Sequence, residues 1–141
     1  MLAAALDELE AAGFEIVARS PIVGTAPLGP SNRRYANAAA VTESALGPEE
    51  MLTALLGIER RFRRRRRGQR WRARVLDLDL VLWSGGAHRS TRLTIPHPEF
   101  RRRAFVLSPA RDIAPDWRDP ATGLALRHLQ ARLTRPRPLP R

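Results

Sequence analysis

The stretch VLDLDLVLW, residues 75–83, decides how the rest of this sequence is interpreted. Apolar and acidic residues alternate in it with the period of two that is typical of a β-strand. The leucines at positions 76, 78, 80 and 82 would share one face, and Asp77 and Asp79 would share the other. The pattern therefore predicts a strand with an apolar face toward a core and two carboxylates on the opposite face.

These two carboxylates have two interpretations. Side chains two residues apart on a strand project from the same face, about 6–7 Å apart at the backbone, so Asp77 and Asp79 repel each other unless a cation lies between them. Hard divalent cations such as Mg²⁺ bind one or two carboxylates together with phosphate oxygens and water. The alternative is an ordinary half-exposed strand with a solvated polar face.

The residues before this strand are strongly basic. Arg66, Arg70 and Arg74 precede the two acids, with Trp71 among them. Guanidinium groups neutralise the charge that spreads over phosphate oxygens during phosphoryl-type transfer, while carboxylates hold the metal. Cations and anions within a few residues favour polyphosphate chemistry, whereas the basic run 60–74 taken alone also fits a nucleic-acid-binding surface.

Composition sets the broader class. The chain has 141 residues, no cysteine and no lysine, so its 25 basic residues are all arginine, and its net charge at pH 7 is +11. These counts exclude disulfides, thiolate zinc sites, a phosphate-loop lysine and a Schiff-base lysine, and the charge predicts an anionic partner. No apolar run approaches the roughly 18 residues of a membrane helix, and no basic start suits a secretory signal. The sequence predicts one cytoplasmic domain at residues 1–133 and a frayed tail at 134–141.

The remaining segments predict a domain that mixes helices and strands. Apolar residues recur with helical spacing in several segments, and β-branched runs bounded by proline or glycine occur between them. Helices are predicted at residues 2–12, 48–62, 103–110 and 124–133. Strands are predicted at residues 14–23 and 35–44, with a loop at 25–34.

Other side chains suit a phosphate or a flat heterocycle. His97 lies between two prolines, which restrict its backbone and so the direction of its ring. Tyr35, Trp71 and Phe105 offer aromatic faces for stacking. Asn37, two residues after Tyr35, can both donate and accept hydrogen bonds on the same strand face. Taken one at a time, residues of these types more often have structural roles.

Several motifs occur in a characteristic order. Residues 70–79 read RWRARVLDLD and fit the pattern R-W-x-x-R-x-x-D-L-D, and RLTIPHP at 92–98 is followed by RAFVL at 103–107 and DIAP at 112–115. Upstream, TAPLGP at 25–30 precedes YANA at 35–38. In this order they resemble the signature regions and the pterin loop and strand of the 6-hydroxymethyl-7,8-dihydropterin pyrophosphokinase family. The resemblance extends over nearly the whole chain.

The resemblance implies transfer of pyrophosphate from ATP to the pterin hydroxymethyl group, with release of AMP, in folate biosynthesis. It implies that Asp77 and Asp79 hold two Mg²⁺ ions and that Arg66 and Arg74 contact phosphates as catalytic residues. The implied ATP-binding residues are Glu59, Arg66, Arg70, Trp71, Arg74, Arg92, Thr94, His97 and Arg103. The implied pterin-binding residues are Thr25, Leu28, Tyr35, Asn37 and Phe105.

The resemblance also implies an α+β fold with a ferredoxin-like antiparallel sheet, and a monomer that binds small molecules but neither nucleic acid nor membrane. The family's first strand precedes the helix in which this sequence begins, so we expect a chain that lacks this strand through a late start or a truncation. Arg63 replaces a family glycine, and Leu56 replaces a polar nucleotide contact of some relatives. Two alternatives stay open: a basic nucleic-acid-binding module and a catalytically impaired, truncated relative of the enzyme.

Overall fold

Helices and short strands alternate along the part of the chain that the computed structural model describes, residues 1–25, 35–65 and 76–135. The helices are α1 (Leu2–Ala11), α2 (Pro48–Arg65), α3 (Ala104–Ile113) and α4 (Leu126–Thr134), with a 3₁₀ turn at Phe100–Arg102. The strands are β1 (Glu15–Arg19), β2 (Val23–Thr25), β3 (Tyr35–Asn37), β4 (Ala40–Glu43), β5 (His88–Arg89) and β6 (Thr94–Ile95). This content confirms the predicted α+β class.

The described strands form antiparallel pairs. Strand β1 pairs with β4, with Glu15 opposite Glu43 and a register shift between Ile16 and Ala18. Strand β2 pairs with β3, and β5 pairs with β6. The sheets are therefore three two-stranded units in the described residues, and a single ferredoxin-like sheet stays a prediction.

The helices lie close to their predicted bounds, whereas the strands are shorter than predicted. Helix α1 ends two residues before Gly13, whose φ of +96° is a conformation that side-chain-bearing residues rarely adopt. The strand predicted at 14–23 is shorter, as β1, and the one predicted at 35–44 divides into β3 and β4. None of the described helices is long and apolar enough to cross a membrane.

The strand predicted at 75–83 is wrong as a hydrogen-bonded strand for its described part, residues 76–83. Residues 76–82 belong to no sheet formed by the described part of the chain, and Trp83 forms an isolated bridge with Gly86. The period of two is nevertheless present at its start, where Leu76 is buried and Asp77 and Asp79 are exposed. Alternation reports which side chains are buried, whereas a ladder needs a neighbouring strand, and no described strand pairs with this segment.

A first apolar cluster covers the inner face of this segment. Helix α2 presents its buried residues at intervals of four, three and four, which places them on one helical face. Ile58, at the centre of this face, is fully buried. The cluster comprises Ala5, Leu9, Phe14, Met51, Leu55, Ile58, Phe62 and Leu76, with Leu78, Leu80 and Trp83 packed against it. Helices therefore cover the apolar face of residues 76–80.

A second cluster joins the 3₁₀ turn to the last two helices. Phe100, Leu107, Leu126 and Leu129 are its buried members. Val81 and Leu82 pack against this cluster, so Leu82 does not share its environment with the preceding leucines as the alternation predicts. Val81 and Leu82 thus pack on the second cluster, whereas Leu80 before them and Trp83 after them pack on the first, so the segment contacts both halves of the fold.

An ion pair with one fully buried partner holds the 3₁₀ turn to the loop before α4. The Asp119 side chain is 0% exposed, and it accepts hydrogen bonds from Arg101 Nε at 2.6 Å and Nη2 at 2.8 Å. It also accepts the Ala121 N–H at 3.0 Å and the Thr122 hydroxyl at 2.9 Å. The Arg101 guanidinium is the main cause that lowers the pKa of Asp119 from 3.8 to about 2, against the opposing effect of burial.

This ion pair predicts a pH-dependent stability. The pKa of Asp119 is lower in the folded chain than in the unfolded chain, so its stabilisation, on the order of 2 kcal/mol, is fully present above about pH 4 and is lost as pH falls toward 2. Asp119→Asn removes the negative charge, and we expect a lower melting temperature than in the unmutated chain at pH 7. Circular dichroism melts from pH 7 to 2.5 should show this difference shrinking below pH 4. A constant difference across that range would contradict the assignment.

Candidate active site

The acidic face of residues 76–80 lies beside helix α2. Glu59 of α2 is 8% exposed, and its carboxylate accepts a hydrogen bond from the backbone N–H of Leu78. Leu78 lies between Asp77 and Asp79, whose side chains are exposed. This contact joins α2 to the segment at the residue between the two aspartates. We call Glu59, Asp77 and Asp79 the acidic cluster.

Negative charge accumulates in the acidic cluster. Burial raises the pKa of Glu59, and the charges of Asp77 and Asp79 raise it further, with a partial offset from the Arg63 guanidinium. Burial and the charge of Asp77 also raise the pKa of Asp79. Both shifts mean that the ionised carboxylates are disfavoured in their present surroundings. A cation bound at the exposed aspartates would relieve this repulsion.

The carboxylates of Asp77 and Asp79 are the side chains of the site that could bind a metal ion. Asp77 and Asp79 supply exposed carboxylate oxygens, which are the donors that Mg²⁺ prefers. In the described ranges, no group of three or more acidic or histidine side chains is arranged to hold one metal ion. Mg²⁺ commonly uses only one or two carboxylates and completes its coordination with phosphates and water. The aspartate pair therefore fits Mg²⁺ bound together with a polyphosphate.

His97 and Arg103 approach the acidic cluster from the second half of the fold. His97 Nε2 lies 4.0 Å from Asp79 Oδ2, and the positive charge of Arg103 lowers the pKa of Asp79. The His97 backbone N–H donates to the Val81 carbonyl at 3.0 Å, which attaches this loop to the acidic segment. The structure therefore brings together two predicted metal ligands and two predicted nucleotide-binding residues.

The orientation of the His97 ring is also fixed. Its Nδ1 accepts a hydrogen bond from the Glu99 backbone N–H at 3.2 Å. A neutral imidazole that accepts at Nδ1 carries its proton on Nε2. Nε2, which lies 4.0 Å from Asp79 Oδ2, is therefore a hydrogen-bond donor beside the acidic cluster.

The elements that carry the predicted pterin residues lie together. Helix α3 contacts both β3 and β4. Phe105, in the first turn of α3, is 47% exposed, and the Arg103 guanidinium carbon lies 5.8 Å from the centre of its ring. Asn37 is half-buried on β3, and the backbone of Tyr35 pairs with that of Thr25. An exposed aromatic face therefore lies on the helix that packs against the strand of Asn37.

Two predicted nucleotide-binding residues, Arg92 and Thr94, lie in the β5–β6 hairpin. Arg92 Nη2 donates to the Thr53 hydroxyl at 3.0 Å, and Arg92 Nε lies 3.9 Å from Glu49 Oε1. Thr94 is exposed and pairs with Arg89 in the hairpin. Their contacts are with α2 and the hairpin, so their nucleotide roles stay predictions.

Several predicted site residues lie outside the described residues. They are Leu28, Arg66, Arg70, Trp71 and Arg74. Their assignments rest on the sequence motifs alone, and they stay predictions.

Sequence reasoning missed a polar network at the start of α2. His88 Nε2 lies 2.9 Å from Glu49 Oε2, and the Ser90 hydroxyl donates to the same oxygen at 3.1 Å. The hydrogen bond with His88 is the main cause that lowers the pKa of Glu49. Glu49 and His88 are 39 positions apart, and no periodic pattern links them. An acidic residue in the first turn of a helix was the only sequence signal available here.

The chain is similar to known proteins over the region that contains these motifs. The family model of 7,8-dihydro-6-hydroxymethylpterin-pyrophosphokinase matches residues 1–115. A 2-amino-4-hydroxy-6-hydroxymethyldihydropteridine pyrophosphokinase of Synechocystis is 41% identical over 112 residues, which are 79% of this chain and 57% of that protein. Proteins of the same name from Methylorubrum extorquens and Pseudomonas aeruginosa are 40% and 41% identical, over 82% and 83% of this chain and 74% and 73% of theirs.

The fold and the site together define an α+β protein with a candidate phosphate-transfer site. The matched residues include the acidic cluster, His97, Arg103 and the helix that carries Phe105. The chain belongs to the 7,8-dihydro-6-hydroxymethylpterin-pyrophosphokinase family. It spans 57% of the length of the Synechocystis relative.

The charge repulsion in the acidic cluster predicts a stabilising substitution. Glu59→Gln removes a buried charge that burial and two aspartates disfavour, while its amide oxygen can still accept the Leu78 N–H. We expect a higher melting temperature at pH 7, measured by circular dichroism. Glu10→Gln, at an exposed position of α1, is the control and should leave the melting temperature unchanged. A lower melting temperature for Glu59→Gln would show that this charge is not a source of strain.

Proposed function

We propose that this chain transfers the pyrophosphoryl group of ATP to 6-hydroxymethyl-7,8-dihydropterin. The pterin hydroxyl oxygen forms a bond to the β-phosphorus and releases its proton to solvent, while the bond from that phosphorus to the α,β-bridging oxygen breaks and AMP leaves. Family membership supports this reaction. The observation that supports it is the position of His97 and Arg103 beside Asp79, the neighbour of the exposed Asp77 on the same segment, since anions and cations together are what polyphosphate transfer requires.

The aspartates and the adjacent cations have separate roles in this proposal. Asp77 and Asp79 would hold two Mg²⁺ ions, which when bound neutralise charge on the phosphate oxygens. His97 donates from Nε2 to a phosphate oxygen, and Arg103 supplies a guanidinium for the charge that develops in the transition state. Glu59, which the family motifs imply in the ATP site, contacts the backbone of Leu78 between the two aspartates.

The pterin lies against α3 and β3 in the same proposal. Phe105 offers an exposed face for stacking on the pterin rings, and Asn37 provides an amide for its polar edge. Thr25, Leu28 and Tyr35 complete the pterin site, as the family motifs imply. Arg66, Arg70, Trp71, Arg74, Arg92 and Thr94 complete the ATP site on the same basis, with Arg66 and Arg74 as catalytic residues.

An assay of AMP formation tests the proposal directly. The purified chain is incubated with ATP, MgCl₂ and the pterin alcohol, and AMP is quantified by chromatography. Asp77→Asn and Asp79→Asn should each lower turnover by roughly 100-fold or more, because metal-assisted charge neutralisation supplies several kcal/mol. Their melting temperatures should equal or exceed that of the unmutated chain, because each removes one of the repelling charges.

Asp116→Asn is the matched control for this assay. Asp116 is an exposed aspartate on the loop before α4, and it pairs with Arg127 of that helix. It is distant in sequence from the acidic cluster. It should retain turnover. Near-normal AMP formation by either acidic-cluster variant would reject the metal role of that aspartate.

A basic nucleic-acid-binding surface is the second candidate, and one observation favours it. Arg60, Arg63 and Arg64 are exposed near the end of α2, in a chain of net charge +11. This function predicts duplex binding that weakens steeply with salt and does not change in Asp77→Asn. Fluorescence anisotropy with a labelled DNA duplex at 50 and 200 mM NaCl, with and without this substitution, separates it from the enzymatic function.

A further inference from the structure

The Arg101–Asp119 ion pair lies next to the candidate active site but is not part of it. Arg101 is in the 3₁₀ turn between His97 and Arg103. Asp119 lies beyond residues 1–115, the range that matches the family model. The pair therefore connects the nucleotide-binding loop to a part of the chain outside the family match.

We infer that Arg101 and Asp119 are positioning residues, which hold His97 and Arg103 in the orientation needed to bind the phosphates of ATP. The inference rests on the proposed function for its substrate. Its physical basis is the set of contacts around the 3₁₀ turn and around Asp119.

Backbone hydrogen bonds link His97, the 3₁₀ turn and Arg103 to one another. The Phe100 N–H donates to the His97 carbonyl at 3.3 Å, and the Arg103 N–H donates to the Phe100 carbonyl at 3.3 Å. The Leu107 N–H then donates to the Arg103 carbonyl at 2.9 Å, which joins the turn to α3. A rotation of the turn would therefore move His97 and Arg103 together.

Two contacts oppose such a rotation. Phe100 is 1% exposed in the second apolar cluster. The Arg101 guanidinium lies over the Phe100 ring, 4.7 Å from its centre, and donates its two hydrogen bonds to Asp119. Two parallel hydrogen bonds from a planar guanidinium fix its orientation as well as its distance.

Asp119 is itself held in place, so it can serve as an anchor. Its backbone N–H donates to the Leu124 carbonyl at 2.9 Å, and its carbonyl accepts the Gly123 N–H at 2.8 Å. The loop continues into α4, where Leu126 is buried in the same cluster as Phe100. The anchor and the turn thus share one core, and the ion pair sets their mutual orientation.

Stability alone does not require this arrangement. Apolar residues of similar volume often replace a buried ion pair without loss of stability, whereas removal of one partner is strongly destabilising. Fixed hydrogen-bond geometry is the property that an apolar pair lacks. A double substitution can therefore separate positioning from stability.

The test compares Arg101→Met/Asp119→Leu with the unmutated chain and with Asp116→Asn as the matched control. We expect the double variant to stay folded at the assay temperature, to lower kcat/KM for ATP roughly tenfold, and to leave KM for the pterin alcohol unchanged. Hydrogen exchange followed by mass spectrometry should be faster only in peptides that cover residues 96–107. Wild-type kinetics together with wild-type exchange in a stable double variant would overturn the inference.

Two further outcomes are also informative. If the double variant does not fold, Arg101→Lys is used, which keeps the charge but not the two-pronged geometry, and unchanged exchange at 96–107 then rejects positioning. If the unmutated chain forms no AMP, the proposed function fails, whereas the exchange experiment still decides whether the pair holds the turn.

Discussion

The site depends on the burial of alternate residues in the segment 76–80. Leu76 is buried, and Leu78 and Leu80 pack against the first apolar cluster, while Asp77 is exposed and Asp79, although partly desolvated, keeps access to water. Charged carboxylates are costly to bury without partners, and leucines gain free energy when they are removed from water. The same physical requirement that fixes the segment on the core therefore points both carboxylates outward, on the same side.

The second half of the molecule reaches this site because the segment spans both apolar clusters. Leu80 packs on the first cluster, and Val81 and Leu82 pack on the second. The backbone bond from His97 to Val81 then attaches the loop before α3 to the acidic residues. A single extended stretch thus brings groups from distant parts of the sequence into one charged site.

The acidic cluster is a site of unfavourable charge repulsion within a strongly basic chain. Burial and mutual repulsion raise the pKa of Glu59 and of Asp79. Such strain is common where side chains are arranged for binding or catalysis rather than for stability. The positive net charge of +11 would favour the approach of a polyphosphate through its long-range field, while the aspartates would supply the ligands for its metal.

Helical periodicity and the family motifs in the sequence predicted much of the fold and of the candidate site. The apolar stripe of α2 and the outward direction of Asp77 and Asp79 follow from local patterns, because burial repeats with the period of the backbone. The family motifs likewise indicated His97 and Arg103, which the fold brings to the acids.

Tertiary structure alone decided which groups are hydrogen-bonded. The segment predicted as a strand at 75–83 belongs to no described sheet, and Leu82 packs in a different cluster from the other leucines of the segment. The Arg101–Asp119 pair and the Glu49–His88 contact join residues 18 and 39 positions apart. A local pattern specifies which face of an element is buried, but the partner that meets its polar groups is set by long-range packing.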